Sequence, residues 1–302
     1  MRTNRRECMS VIKQNDLIES VSEAFVRINR MCPVDYEHAL RAAVRTEQNP
    51  KRRETVQKYL SQCLSERKYG ELIASEPDMA VVFMRIGQDV RWSGFTGTLQ
   101  EAVSEGIGRA CAEFALCGGD REETPPTSRF ATGRAVPVFI HWSLVPGEQL
   151  QITVATRSGE AESKTRLLMK TPQESLADCV LKQMNDFKEV FPVPIVLGVG
   201  VGGTSESAVL TARECLNDSL NMDELLDRGP QTFVENLRTE IFRRFNEFSR
   251  DADCFVSRTR LLDVKIRLQA DCYPISPVCL MLETGIPRRL RFVLDGTGPV
   301  FF

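Results

Sequence analysis

Residues 194–216 read PIVLGVGVGGTSESAVLTARECL. The stretch opens as an apolar run of strand length. It closes as an amphipathic run that places Ala208, Val209, Ala212, Cys215 and Leu216 on one side of a helix. Between the two, Gly198, Gly200, Gly202 and Gly203 satisfy the spacing G-x-G-x-x-G. Such a turn leaves amide protons at the helix start free to face an anion, and glycine lets a backbone approach closely. A dinucleotide site also needs a second parallel strand ending in an acid about 20 residues further on. Here that region is LNDSLNMDELLDRGP, too polar and broken for a buried strand. The glycines therefore read as a tight, structural strand-to-helix turn.

Working outward toward the C-terminus, residues 230–248 read as a helix after a polar turn. The decapeptide RLLDVKIRLQ at 260–269 then alternates, with Leu262, Val264, Ile266 and Leu268 on one face and Asp263, Lys265, Arg267 and Gln269 on the other. That is the pattern of a half-buried strand. Further strands are expected at 277–282 and 290–294. Toward the N-terminus, 173–189 reads as a helix. Residues 137–145 and 149–155 read as a β-hairpin across Pro146-Gly147. Residues 120–134 form a long loop rich in Thr, Pro and Arg, 98–117 a helix stopped by Gly118-Gly119, and 79–86 a strand. The first 70 residues are helical. Leu17, Ile18, Val21, Ala24, Phe25, Ile28 and Met31 recur at the helical period, with Asn15 or Asp16 as the cap and Pro33 as the stop. A second helix carries Ala39, Leu40, Ala43 and Val44; a third, after Pro50, carries Val56, Leu60, Cys63 and Leu64. The class is α+β: an N-terminal helical lobe over 1–70, then an α/β lobe of mixed sheets packed with helices over 71–302, together one domain.

Composition narrows the function. The chain has 302 residues, 39 Lys plus Arg against 41 Asp plus Glu, and a formal net charge of -2. That balance gives no field for gripping a phosphate backbone, so nucleic acid is not expected as a partner. No apolar stretch approaches the roughly 20 residues that span a bilayer, and MRTNRRECMS lacks the apolar core of a secretory signal. The expected location is the cytoplasm. Ten cysteines then read as reduced thiols, and no CxxC pair suggests zinc. With two histidines, His38 and His141, a His-rich metal site or a Ser-His-Asp hydrolase has little to draw on.

Four segments in order carry a family resemblance. PIVLGVGVGGTSESAVLTARECL resembles the glycine-rich turn and following helix of class I, iron–sulfur fumarate hydratases and L(+)-tartrate dehydratases. MAVVFMRIGQDV at 79–90, with the helix after it, resembles the family's strand and helix behind its first cluster cysteine. PVFIHWSLVPGEQLQITVA at 137–155 resembles its hairpin, and LLDVKIRLQADCYPISPVCLML at 261–282 its last two strands. The length matches the α-subunit of two-subunit members. The resemblance implies a hydro-lyase acting on a small dicarboxylate such as fumarate, malate or tartrate, with a 4Fe–4S cluster held by three cysteines. One iron is left open as a Lewis acid, and a β-subunit completes the substrate site. It also implies an oligomer, expected to be a homodimer with a β-like partner chain.

Against that family pattern the ligand places are changed. The first thiolate position reads Ala74, within Ala74-Ser75-Glu76-Pro77-Asp78. The second falls at Phe191-Pro192-Val193-Pro194, with Pro192 in place of a cysteine, and the third at Glu283-Thr284-Gly285, with Thr284. Ala, Pro and Thr cannot act as the thiolates a cluster needs, so no cluster is expected. Cys254, Cys272 and Cys279 lie in the same third of the chain as the last ligand place, and Cys279 reads as a core residue. By the resemblance, Arg129 and Thr132 match the loop whose arginine grips a substrate carboxylate. Arg134 stands where an acidic or amide side chain is expected, and Glu162 matches a glutamate near the site. A solvated loop charge is the plainer reading of Arg129, and a similar one applies to Glu162. Asp78, Glu76 and Glu162 are the candidates for general acid–base work without a cluster. The loops around Ala74, Pro192 and Thr284 are expected to converge, with Arg129 and Arg134 approaching a pocket suited to a small anion.

Overall fold

A computed structural model describes residues 11–69, 79–114, 136–186, 193–248, 259–270 and 275–302. Within these the class is α+β, with helices first and mixed sheets after them. The chain folds as two compact units, each assembled from non-contiguous segments: 1–30, 72–158 and 288–302 in one, 31–71 and 159–287 in the other.

The first unit holds β1 (Val11–Lys13), α1 (Gln14–Arg30), β2 (Met79–Gly87), β3 (Arg91–Ser93), α4 (Leu99–Phe114), β4 (Val138–Val145), β5 (Leu150–Arg157), β10 (Arg289–Leu294) and β11 (Pro299–Phe301). Helix α1 buries the face its period predicts, Leu17, Ile18, Val21, Ala24, Phe25 and Ile28. With Val103 and Ile107 of α4 this face packs on Val82, Met84, Ile152, Val154 and Phe292 of a five-stranded sheet ordered β11-β10-β5-β2-β4.

The hairpin expected across Pro146-Gly147 does not form. β2 lies between the two strands, pairing with β4 in parallel and with β5 antiparallel. The loop instead crosses the end of β2, where Gly87 N donates to Gln149 O at 2.9 Å, Gln88 N to Val145 O at 2.9 Å and Asp89 N to Gly147 O at 3.0 Å. Hydrophobic burial decides this order. β2 carries buried residues on both of its faces and takes the centre, whereas β4 is half exposed and takes the edge.

The second unit holds α2 (Val34–Thr46), α3 (Pro50–Tyr69), α5 (Gly159–Ser163), β6 (Arg166–Lys170), α6 (Leu176–Asn185), β7 (Pro194–Val201), α7 (Ser205–Cys215), α8 (Met222–Arg228), α9 (Phe233–Phe248), β8 (Arg260–Leu268) and β9 (Ser276–Thr284). Its sheet is ordered β6-β9-β7-β8 and is covered on both faces. Val180 and Met184 of α6 and Ile241 and Phe245 of α9 pack on Ile195, Leu197, Val199, Val264 and Leu280. On the opposite face Tyr36 and Leu40 of α2, Val56 of α3, and Ala208 and Ala212 of α7 pack on Val196, Leu262, Cys279 and Met281. The three N-terminal helices are thus divided, α1 in one unit and α2 with α3 in the other.

Strand β8 departs from the half-buried pattern in two ways. A bulge at Leu262 shifts the register, so that Ile195 faces Leu261 while Val196 faces Asp263. Leu262 thereby joins the opposite core from Val264 and Ile266. Its polar face is buried too. Asp263 is 0% exposed and is held by Arg238 Nη2 at 2.9 Å, Lys265 Nζ at 2.9 Å and the amide of Asn221 at 2.8 Å. Paired ions can be buried where unpaired ones cannot, and alternation alone does not reveal such a network. The stretch read as a polar turn contains α8, whose Met222 and Leu225 are buried, a helix too short for its period to stand out.

The thiols also differ from expectation. Cys32 and Cys63 form a disulfide with Cα atoms 5.2 Å apart, and Cys111 is disulfide-bonded as well. Antiparallel packing of α2 and α3 joins Cys32 to Cys63 across 31 residues, a pairing that no local spacing signals. Among the described residues, no helix is long and apolar enough to cross a membrane.

Candidate functional site

The glycine turn is tightly packed. Strand β7 runs directly against α7. A Cβ on Gly198 would stand 2.5 Å from Ala212 O, and one on Gly200 would stand 2.6 Å from Ala212 N and collide with Ala208 O. These two glycines let helix backbone rest on strand backbone. Gly202 and Gly203 have φ of 88° and 69°, the left-handed region that favours glycine. Their amides are engaged, Gly202 N with Pro277 O and Gly203 N with Ala270 O, both at 2.9 Å. Thr204 and Ser207 close the helix start as a reciprocal capping box, and Ser207 Oγ also reaches Gln269 Oε1 at 2.8 Å. The strand parallel to β7 is β8, and α8, α9 and further chain intervene before it. Each of the four glycines thus has a packing or backbone reason to be glycine.

The other end of the same sheet holds Thr284 and the start of β7, which fall in two of the three stretches that the resemblance aligned with ligand places. Ile195 pairs with Thr284, Gly285 N donates to Pro194 O at 3.0 Å, and Pro194 faces Arg260. The chain just after Pro192 and the chain at Thr284 therefore meet. Ala74, Pro192, Arg129, Thr132, Arg134, Cys254, Cys272, Glu76 and Asp78 lie outside the described residues. Tyr59 of α3 lies against Gly285, its ring 3.3 Å from where a Cβ would stand. Burial, and then the charge of Glu160, push its phenol above its ordinary pKa, so it stays a protonated O–H donor.

Beside this end sits a charged cluster that sequence reading missed. Glu47 is buried and clamped by two arginines, Arg52 Nη2 at 2.8 Å and Arg260 Nη1 at 3.1 Å. Arg260 Nη2 reaches Thr46 Oγ1 at 3.1 Å, while Arg52 Nη2 also meets Asn246 O at 3.3 Å. Two guanidiniums share one carboxylate, and Arg52 Nε, Arg52 Nη1 and Arg260 Nε are buried without hydrogen-bond partners. Burial pulls the Arg260 guanidinium below its ordinary pKa despite Glu47. No short motif could signal this group, since Arg260 is 213 residues from Glu47.

Glu162 is committed elsewhere. It lies in α5 and accepts both Arg213 nitrogens, Nη1 at 2.6 Å and Nη2 at 2.7 Å, a bidentate pair that ties α5 to α7. Neither Arg213 nor Glu162 is fully exposed. A carboxylate so paired is a poor general base.

The donor chemistry at the described ligand place does not fit an iron–sulfur cluster. Thr284 offers a hydroxyl and no thiolate. Cys279 is wholly buried, and burial pushes its thiol up to about 12; the Cys215 thiol is likewise pushed up to about 12 and that of Cys179 to about 11. Such thiols stay protonated and are poor ligands. Among the described residues no group of three His, Cys, Asp or Glu side chains is placed to hold a metal ion. A groove of about 650 Å³ lies in the first unit between Arg85, Gly147, Gln151 and Asp295, residues with no part in the sequence-based site.

Comparison with known proteins agrees with the resemblance. The family model for fumarate hydratase (fumerase) matches residues 18–292. A Methanocaldococcus jannaschii protein described as "Putative L(+)-tartrate dehydratase subunit alpha" is 23% identical over 286 residues, which cover 91% of this chain and 97% of that protein. A match from α1 through β10 takes in both units, including the sheet end where Pro194 and Thr284–Gly285 meet. The chain belongs to the fumarate hydratase (fumerase) family.

Proposed function

We propose that this chain is an α-type hydro-lyase subunit that has lost the 4Fe–4S site and serves as a non-catalytic, small-anion-binding scaffold. Thr284 carries the reading: it stands where the resemblance places a thiolate, at a sheet end held in register with Ile195. Ala74 and Pro192, the residues at the other two places, have no donor side chain at all. The excess positive charge of Arg52 and Arg260 over Glu47 favours an anion at that end. Arg129, Thr132 and Arg134 are the further residues assigned to the anion, a small dicarboxylate.

Anaerobic reconstitution followed by iron and sulfide assay tests this reading. The expected result is no stoichiometric cluster; iron and sulfide near four per chain, with visible absorption lost on oxidation, would overturn it. Calorimetry with fumarate, malate and tartrate then tests the anion. Heat is expected with at least one of them and is expected to fall about tenfold in affinity for Arg129→Ala, the loss of one charge-assisted contact of roughly 1.4 kcal/mol.

The second reading is an active dehydratase subunit completed by a β-subunit. It is favoured by the relative, which is described as a subunit and matches along nearly its whole length. Co-expression with a β-like chain and a fumarate hydration assay separates the two, since the scaffold reading expects no turnover above background. Under either reading we place the chain in the cytoplasm as a homodimer.

A further inference from the structure

We propose that two copies of this chain associate edge to edge through β4, each copy's strand antiparallel to the other's, so that the two five-stranded sheets continue into one. The inference rests on the homodimer reading and names its surface. Among the described residues the sheet ends at β4 on one side and β11 on the other. Exposed edges present unpaired backbone groups, and proteins ordinarily blunt them with charge, proline or brevity. Edge β11 is three residues long and begins with Pro299. In the other sheet, edge β6 is flanked by Arg166 and Lys170, and edge β8 carries Arg260, Asp263, Lys265 and Arg267. Edge β4 is eight residues long, reads VFIHWSLV, and contains neither Lys, Arg, Asp, Glu nor proline. Phe139, Trp142 and Leu144 are exposed to 50%, 66% and 67%.

The geometry of the strand also selects the partner. Ala80 N bonds to Pro137 O and Gln88 N to Val145 O, so odd-numbered residues of β4 turn their backbone groups toward β2. Val138, Ile140, Trp142 and Leu144 consequently turn theirs outward. A twofold axis at position 141 pairs all four with a second copy, Val138 with the partner's Leu144 and Ile140 with the partner's Trp142. Side chains of these four share one face, so each pair across the axis is apolar against apolar. His141 meets the partner's His141 at the axis, and the strand has no Lys, Arg, Asp or Glu to set against its own kind. Another partner would have to supply an uncharged apolar strand, and a second copy brings one. Trp142 and Leu144, the exposed side chains on that face, offer on the order of 200–300 Å² per copy, an apolar centre for an interface of ordinary size, about 800 Å² per partner, with Phe139 on the opposite face.

Sedimentation velocity on the full chain at micromolar concentration tests this, comparing wild type with Trp142→Lys, Leu144→Lys and, as control, Val300→Lys on the other edge. The expected result is a dimer for wild type and Val300→Lys, and at least a tenfold weaker dimer for the two β4 variants, with circular dichroism and melting temperature unchanged. Because both substituted side chains already face solvent, a folded monomer is the expected form. A wild-type dimer indifferent to both β4 substitutions overturns the surface and leaves the homodimer standing. A wild-type monomer overturns both, and so does a different protein bound through β4 in place of the second copy.

Discussion

The carboxylate of Glu47 holds two buried guanidiniums, and each depends on it for its charge balance. Removing one member of a buried ion cluster leaves an uncompensated charge, at a cost of about 3–5 kcal/mol. Glu47→Gln should therefore lower stability by that order in chemical denaturation, whereas Glu105→Gln, whose partner Arg109 is exposed, should change it little. The thiols give a pH dependence with a definite sign. Cys215 and Cys279 titrate near 12 in the folded chain against an ordinary value of 9.0. Between those values the unfolded chain releases protons that the folded chain retains, so stability is full below pH 9 and falls as pH rises toward 12. Denaturation midpoints measured at pH 8 and pH 10.5 should show the decline. It should shrink in a Cys215→Ala variant. Of these residues Cys279 was legible as core from its strand, while the Glu47 cluster was not, because its members are joined only by tertiary packing.

At the scale of elements, period and punctuation carried most of the reading. α1, α7 and β7 follow from apolar spacing, and the turn between β7 and α7 from its glycines. The expected hairpin failed for a reason local sequence does not contain: Pro146-Gly147 marks a reversal of direction, but whether the flanking strands touch depends on whether β2 takes the place between them. Sequence likewise missed the bulge in β8 and its buried polar face, which only neighbouring α7, α8 and α9 explain. Two substitutions probe the β7–α7 element. Gly200→Ala presses a methyl into helix backbone that cannot yield as a side chain would, and should cost about 1–3 kcal/mol or more. Thr204→Ala removes one side of the capping box and should cost about 1 kcal/mol. Melting curves of the two should differ accordingly, with Gly200→Ala the more damaging.

For the whole molecule, the family and the α+β class were legible; of the three stretches expected to converge, the ones leading into β7 and ending β9 are brought side by side by the pairing of Ile195 with Thr284, and the one at Ala74 lies outside the described residues. The division into two units was not, because hydrophobic patterning reports that a helix is amphipathic without reporting which core it joins. The Cys32–Cys63 link is a property at this scale too, binding the segment just before α2 to α3. Closing a loop of 31 residues stabilises by about 3–4 kcal/mol in the chain-entropy account. Peptide mapping without reductant should recover the joined peptides, and dithiothreitol should lower the melting temperature of wild type more than that of Cys32→Ser/Cys63→Ser, which keeps only the Cys111 bond.

The first unit draws its strands from three stretches, and its sheet gains β10 and β11 only from residues 289–301. A nascent chain leaving the ribosome N-terminus first has therefore made every element of the second unit before the first unit owns its complete sheet. Vectorial synthesis would leave β5 without its neighbour β10 until β6 through β9 have been made, a waiting edge that chaperones would have to shield. The same threading makes the protein indivisible by simple truncation: a stop codon after Ile286 strips two strands from the first unit, and a split after residue 70 parts α1 from α4 and α3 from β7 at once.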